Sequence, residues 1–214
     1  MEEKMIRIGK TAEMLGVTVQ TLRNWDKAGK LRSKRTPGGQ RYYDLSDLER
    51  FQLDLKALGW AWAASDQAPE IPKQYHCERQ DRFTSRLEKM GIELLQVLGS
   101  GSTDLVSLIT LVAGEIGDNS FAHNIGNWPD VTGIFYAYDI DKRYIVMADR
   151  GRGVRTTLSR VRPGITSDME ALHIAFTEII SGRDPEKRGN ELKVVRSIAQ
   201  SNAIGLVFRS GIGL

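Results

Sequence analysis

The chain has 214 residues, 41% hydrophobic and 27% charged, with 21 glycines, one cysteine and a formal net charge of +3. That length accommodates one or two domains with cores of their own, and the mixture excludes both a disordered chain and a collagen-like one. The single cysteine, Cys77, excludes an internal disulfide framework and any zinc site built from cysteine pairs.

The charge is unevenly placed. Residues 1–58 hold twelve Lys and Arg against eight Asp and Glu, a net of +4, while the rest hold eighteen against nineteen. A basic front quarter points to a polyanionic partner there. Ile6 and Ile8 lead into a short helical pattern, Thr11 to Leu15, stopped by Gly16. Thr18 caps a second helix, Val19 to Ala28, which buries Val19, Leu22 and Trp25. Gln20, Thr21, Arg23, Asn24 and Lys27 are left facing outward, and two such helices make a helix-turn-helix whose second member enters a major groove. Gly38-Gly39 signals a two-residue hairpin turn, with Lys34, Arg35, Arg41 and Tyr42 on its arms as a wing suited to phosphates. Ser46-Asp-Leu-Glu49 reads as a capping box for a helix running to about Leu58, with Gly59 ending it and Trp60 and Trp62 packing beyond. The polar stretch with Pro69 and Pro72 reads as a linker.

From Arg7 to Phe51 the sequence resembles the DNA-binding head of MerR-type regulators and of related excisionases. The residues that carry the likeness are Gly16-Val-Thr-Val-Gln-Thr-Leu22-Arg23, Trp25-Asp-Lys-Ala-Gly29 and Gly39-Gln-Arg41-Tyr42. The resemblance implies double-stranded DNA as partner, with Arg23 and Arg41 in contact and Asn24 and Tyr42 supporting at the backbone. Gln20, Lys34 and Arg35 complete the expected DNA-facing set.

Phe83, Leu87, Met90, Leu94 and Val97 recur at helical spacing between Glu78 and Leu98, a stripe that either pairs two subunits or covers a sheet. Ser102 to His123 forms a further amphipathic helix on which Glu115, Asn119 and His123 fall four apart on one side. A carboxylate and an amide one turn apart suit magnesium-nucleotide chemistry. The amide oxygen of Asn119 is a hard ligand for Mg²⁺ on the phosphates, and Glu115 is placed to orient a water. Residues 131–140 and 142–149 read as antiparallel strands around Asp139-Ile-Asp141-Lys, with Asp149 at the end of the second. Gly151 and Gly153 then permit close approach of backbone to a ligand.

Glu115-Ile-Gly-Asp118-Asn119-Ser120 followed by Asp149-Arg-Gly151-Arg-Gly153 resembles, in order and type, two boxes of the GHKL superfamily of gyrase, heat-shock chaperone, histidine kinase and MutL ATPases. The resemblance implies ATP and Mg²⁺ as cofactors, Asn119 as the magnesium-holding residue, Asp149 as the adenine reader and Glu115 as general base. Further on, helices are expected at Val154 to Val161, at Asp168 to Ile180 behind the capping box Ser167-Asp-Met-Glu170, and at Leu192 to Gln200. A strand is expected from Ile204 to Arg209. The basic loop 181–190 stands where the superfamily places its ATP lid, which makes Arg188, Gly189 and Lys193 candidate phosphate contacts. Where the superfamily has Gly-x-Gly-Leu, this chain has Gly189-Asn-Glu191-Leu192, which puts a carboxylate near the phosphates and points to sensing with slow turnover.

The expected class is α+β, with a winged helix-turn-helix head at 1–64, a linker at 65–77 and, at 78–214, an α/β sandwich with helices over one face of a mixed sheet. The expected function is a homodimeric DNA-binding regulator switched by ATP that it hydrolyses slowly. The alternatives are a serine/threonine kinase of the anti-sigma type and an excisionase-like architectural factor with a vestigial pocket. The N-terminal Met-Glu-Glu-Lys lacks a secretory pattern and no apolar run of spanning length stands out, so the cytoplasm and no membrane partner are expected.

Overall fold

The computed structural model describes residues 4–29, 31–126, 128–179, 190–211 and 213. The chain divides into two compact units, 1–54 and 55–214.

In the first unit, β1 (Met5–Arg7), α1 (Ile8–Leu15), α2 (Val19–Lys27), β2 (Lys34–Arg35), β3 (Arg41–Asp44) and α3 (Leu45–Gln52) surround a small core. Ala12, Leu22, Leu31, Tyr43 and Leu48 form it, with the Trp25 and Phe51 rings tilted against each other at its edge, their centroids 5.1 Å apart. Gly16 ends α1 because the next turn requires a left-handed residue, φ 65°, and glycine adopts it without a Cβ clash. Thr18 then caps α2, its hydroxyl accepting from the Thr21 amide at 3.1 Å. The three strands are antiparallel in the order β1-β3-β2. Between β2 and β3 the loop is Pro37-Gly38-Gly39, not the expected two-residue turn. The Gly39 amide donates to Thr36 O, and Gly39 alone of the three has positive φ, the three-residue hairpin in which glycine fills the left-handed site. Asp44 rather than Ser46 caps α3, accepting from the Ser46 amide at 2.9 Å.

The helix expected to run on to Leu58 stops at Gln52, with Leu53 extended, and α4 (Leu55–Ala64) begins anew in the second unit. Gly59 lies inside α4 rather than ending it. A Cβ there would stand 2.8 Å from Val146 and 3.1 Å from Phe135, so the glycine lets α4 settle on the sheet. The division between the compact units falls at 54/55, ahead of the stretch 65–77 expected as a linker. Part of that stretch is structured, since Lys73–Tyr75 is a helical turn and β4 (His76–Cys77) joins the second sheet.

That sheet is antiparallel in its described strands, where a mixed one is expected, with the order β4-β5-β6 for β5 (Ile134–Asp139) and β6 (Tyr144–Asp149). Side chains alternate across it. Ile134 and Tyr136 face α5 (Gln80–Leu98) and α6 (Thr103–Asn124), packing with Phe83, Met90, Ala113 and Phe121. Phe135 faces α4, so helices cover both faces instead of the expected one. Trp62 is buried, whereas Trp60 is 48% exposed under the Arg209 guanidinium. The stripe of α5 divides: Phe83, Leu87 and Met90 are buried, while Val97 is exposed.

Ser100–Asn124, 25 residues including the turn before α6, is long and apolar enough to cross a membrane by length and composition alone, where the sequence reading expects no such run. The same helix packs along α5. α7 (Gly153–Leu158), α8 (Asp168–Thr177) and α9 (Glu191–Ser201) enclose a second cluster of Leu158, Ile165, Ala171, Ile174 and Ala175. The Ser167 capping box forms as expected, the Glu170 amide donating to Ser167 Oγ. Residues 204–209 pair with no strand among the described residues, against the expected last strand, and one isolated bridge joins Ser210 to Gly213.

Gly117 of α6 carries the tightest helix contact, because a Cβ there would fall 2.2 Å from the buried Phe83 ring. Gly117→Ala gains about 1 kcal/mol of helix propensity but forces Phe83 out of its place against Phe121 and Tyr136, at a cost of about 1–3 kcal/mol. Thermal unfolding should therefore show a lower midpoint; an equal or higher one would show that Phe83 yields freely.

Candidate nucleic-acid interface and candidate nucleotide site

Leu22 is wholly buried, so the positions around it on α2 point Gln20, Arg23 and Asn24 to solvent. The Gln20 amide donates to Asn24 Oδ1 at 3.1 Å, which aligns two outward amides along the helix. On the wing, Lys34 and Arg35 are exposed, and the Tyr42 hydroxyl donates to Gln40 Oε1. Arg41 differs from these. Its Nε donates to Asp26 Oδ2 at 2.8 Å, and its side chain is only 19% exposed.

Asp26, on the last turn of α2, is the joint between helix and wing. One oxygen accepts from the Ser33 amide at 2.9 Å, and the other takes Arg41 and lies 3.5 Å from the Arg35 guanidinium. The hydrogen bond from Arg41 holds the carboxyl at about 2, with help from the Ser33 amide and against a desolvation that would raise it. A sequence reading has no way to single out Asp26, because its partners lie seven to fifteen residues away.

In the second unit, the Asp149 carboxylate at the end of β6 is built into a hydrogen-bonded loop. Ser120 Oγ donates to Oδ2 at 2.8 Å, and the Gly151 amide donates to Oδ1 at 2.8 Å. Asn124, 5% exposed at the end of α6, ties the same loop from the other side. Its Nδ2 donates to Ser120 O at 2.8 Å and its Oδ1 accepts from the Arg152 amide at 3.2 Å. A Cβ on Gly151 would overlap Asn124 at 2.2 Å, so glycine is required there by packing against α6. Gly153 has φ 77°, and the next amide, Val154, donates to Ser210 Oγ. Ser120, Asn124 and Ser210 thus hold this loop, and none of the three is among the expected site residues.

Among the described residues two donors reach Asp149, which leaves acceptor positions able to take an exocyclic amine. Glu115 and Asn119 lie half-buried one turn apart on α6. Glu115 opens on a cavity of about 470 Å³ with Thr110, Leu111, Gly114 and Asp118. Asn119, Asp149 and Gly151 do not line that cavity, and Asp149 is tied to α6 through the Ser120 hydroxyl, with Asn124 bracing the same loop. Lys193, on the first turn of α9, donates to Ala175 O at 3.4 Å, and burial lowers its pKa. Arg188 and Gly189 lie outside the described residues. Among the described residues no group of three His, Cys, Asp or Glu is placed to hold a metal. A magnesium ion here would need phosphate oxygens to complete its shell, which is compatible with Asn119 as a single protein ligand.

Residues 7–43 match the family model described as MerR family regulatory protein. They form a MerR-family helix-turn-helix domain, and such a domain supports a DNA-binding regulator. The match lies within the first compact unit and includes none of the second. No curated protein and no solved structure matches the chain.

The Asp26 joint carries a pH dependence. A carboxyl held at about 2 in the folded head against 3.8 ordinarily stabilises the fold above pH 4, and that contribution is lost as the pH falls toward 2. Asp26→Asn should lower the melting point of the head at pH 6, and the gap to wild type should close by pH 2. A gap of constant size would show that the loss is steric.

Proposed function

We propose that this chain is a DNA-binding regulator in which the second unit binds ATP and Mg²⁺ and thereby changes the affinity or pairing of the heads. The observation that supports the DNA part is the joint presentation of Gln20, Arg23 and Asn24 on α2 and Lys34 and Arg35 on the wing, with Asp26 and Arg41 fixing one to the other. In this reading α2 enters the major groove and Arg23 reads a base edge, with Gln20 and Asn24 beside it. Lys34 and Arg35 neutralise phosphates and Tyr42 supports them. Arg41 acts mainly as a positioning residue. Two heads of one homodimer would address two half-sites, and the exposed apolar residues Ile92 and Val97 on α5 suit a subunit contact.

For the nucleotide part, the supporting observation is the Asp149 loop, held to α6 by Ser120 and Asn124 with acceptor capacity to spare. Asp149 would read the adenine amine, with Gly151 and Gly153 allowing close approach. Asn119 would hold magnesium on the phosphates and Glu115 would orient a water. Arg188, Gly189 and Lys193 would approach the phosphates, Lys193 after leaving the Ala175 carbonyl. The Glu191 carboxylate beside them favours sensing with slow hydrolysis over rapid turnover, and a pocket that binds without hydrolysing is the second reading it supports.

Four variants separate these roles. Lys34→Ala with Arg35→Ala should weaken binding to every duplex and lower the log–log salt slope by about 2, from roughly 0.9 per phosphate. Arg23→Ala should cost about 1–3 kcal/mol on the preferred site and blur sequence preference. A gel shift indifferent to both would remove the head as a DNA reader. Separately, Asp149→Ala should abolish saturable binding of a fluorescent ATP analogue, whereas Glu115→Ala should bind it and release no phosphate. Equal phosphate release from Glu115→Ala would take that residue out of its role.

A further inference from the structure

Residues 150–164 of the second unit hold five arginines and no acid. Two of them are committed within the fold. Arg150 pairs with Asp130 and donates to the Trp62 carbonyl, and Arg162 pairs with Glu178. The other three, Arg152, Arg155 and Arg160, are exposed, and among the described residues no carboxylate pairs with their side chains.

Arg152 and Arg155 line a cavity of about 440 Å³ together with Thr156, Ser159 and Ser210. One carboxylate, Asp168, also lines it. That side chain is packed against the Ser210–Gly213 turn, where a Cβ on Gly211 would meet its Oδ2 at 2.2 Å. The Ser210 hydroxyl is held in place by accepting from the Val154 amide and keeps its own proton to donate. No aromatic or large aliphatic side chain lines the cavity among the described residues. Guanidinium groups and hydroxyl donors without an apolar wall suit phosphate oxygens rather than an apolar ligand. Arg160, next to Ser159 but outside the cavity lining, extends the charge beyond what one small phosphate would use.

We propose that this cluster of Arg152, Arg155 and Arg160, within and on either side of α7, is a second contact for the phosphate backbone of duplex DNA, independent of sequence and additional to the head. The inference rests on the reading of this chain as a DNA binder. Arginines exposed without carboxylate partners are repelled by one another, and a polyanion relieves that repulsion while releasing its own condensed counterions.

The test uses the full chain and a random-sequence duplex, with affinity measured from 50 to 200 mM salt. Arg152→Gln, Arg155→Gln and Arg160→Gln together should lower the log–log salt slope by about 2–3 and weaken binding at least tenfold at the low-salt end, with thermal unfolding unchanged. The same three positions changed to Lys should keep the slope, since point charge is what counterion release measures. Wild-type binding with a slope unchanged in the Gln variant overturns the proposal, as does a Lys variant that fails like the Gln one. A Gln variant that keeps its slope but loses affinity for an ATP analogue also overturns it, by assigning the cavity to nucleotide phosphates. Loss of DNA binding in the Gln variant, with none in the Lys34 and Arg35 variant, would uphold this face and remove the head's role instead.

Discussion

The second unit depends on one constraint: strand β5 is buried on both faces. Ile134, Phe135, Tyr136 and Ala137 are each at most 1% exposed, so neither pleat can face water and both must be covered by helices. Ile134 and Tyr136 draw in α5 and α6, and Phe135 draws in α4. Pairing of β5 with β6 then fixes where Asp149 ends, opposite Ile134 and within reach of Ser120 on α6. The candidate nucleotide site is therefore a consequence of core packing. Its carboxylate is delivered by the strand and oriented by the helix that the strand itself recruits.

The head follows a different economy. Five buried residues make a small core, and the geometry that matters outside it is set by polar contacts. Asp26 takes Ser33, Arg41 and Arg35 at once, so the wing cannot turn independently of α2. A charged joint of this kind has a directional preference that apolar packing lacks, and a carboxylate with a charge-assisted hydrogen bond holds that direction more strongly than neutral partners would. A recognition helix and a wing are useful together only in fixed relation, which is what this joint provides.

Much of this was legible in the sequence where local signals and tertiary packing agree. The α1–α2 turn at Gly16 and Thr18, the wing, the hairpin ending at Asp149 and the Ser167 cap all follow from residues close together in the chain. What escaped was non-local. Gly59 looks like a helix stop because glycine punctuates helices, yet here it is the small residue that lets α4 approach Phe135 and Val146. Strand β4 is two residues long, too short to show any alternation, so its stretch reads as linker. Asn124 lies one turn past Ser120, beyond the end of the recognised box, and only the fold shows that its amide closes the Asp149 loop. For Arg41 the sequence shows a basic residue on the wing, whereas its carboxylate partner, fifteen residues away, is visible only in the fold.

A nucleotide switch requires that ATP bind two states of the protein with different affinity, and linkage makes the effect reciprocal. The most direct measurement is a titration of the full chain with a fluorescent ATP analogue and Mg²⁺, in the absence and presence of saturating duplex DNA, paired with the DNA titration with and without nucleotide. The account predicts saturable nucleotide binding and a shift in each affinity by the same factor. Saturable binding with identical affinities in both arms, or none at all, would contradict it.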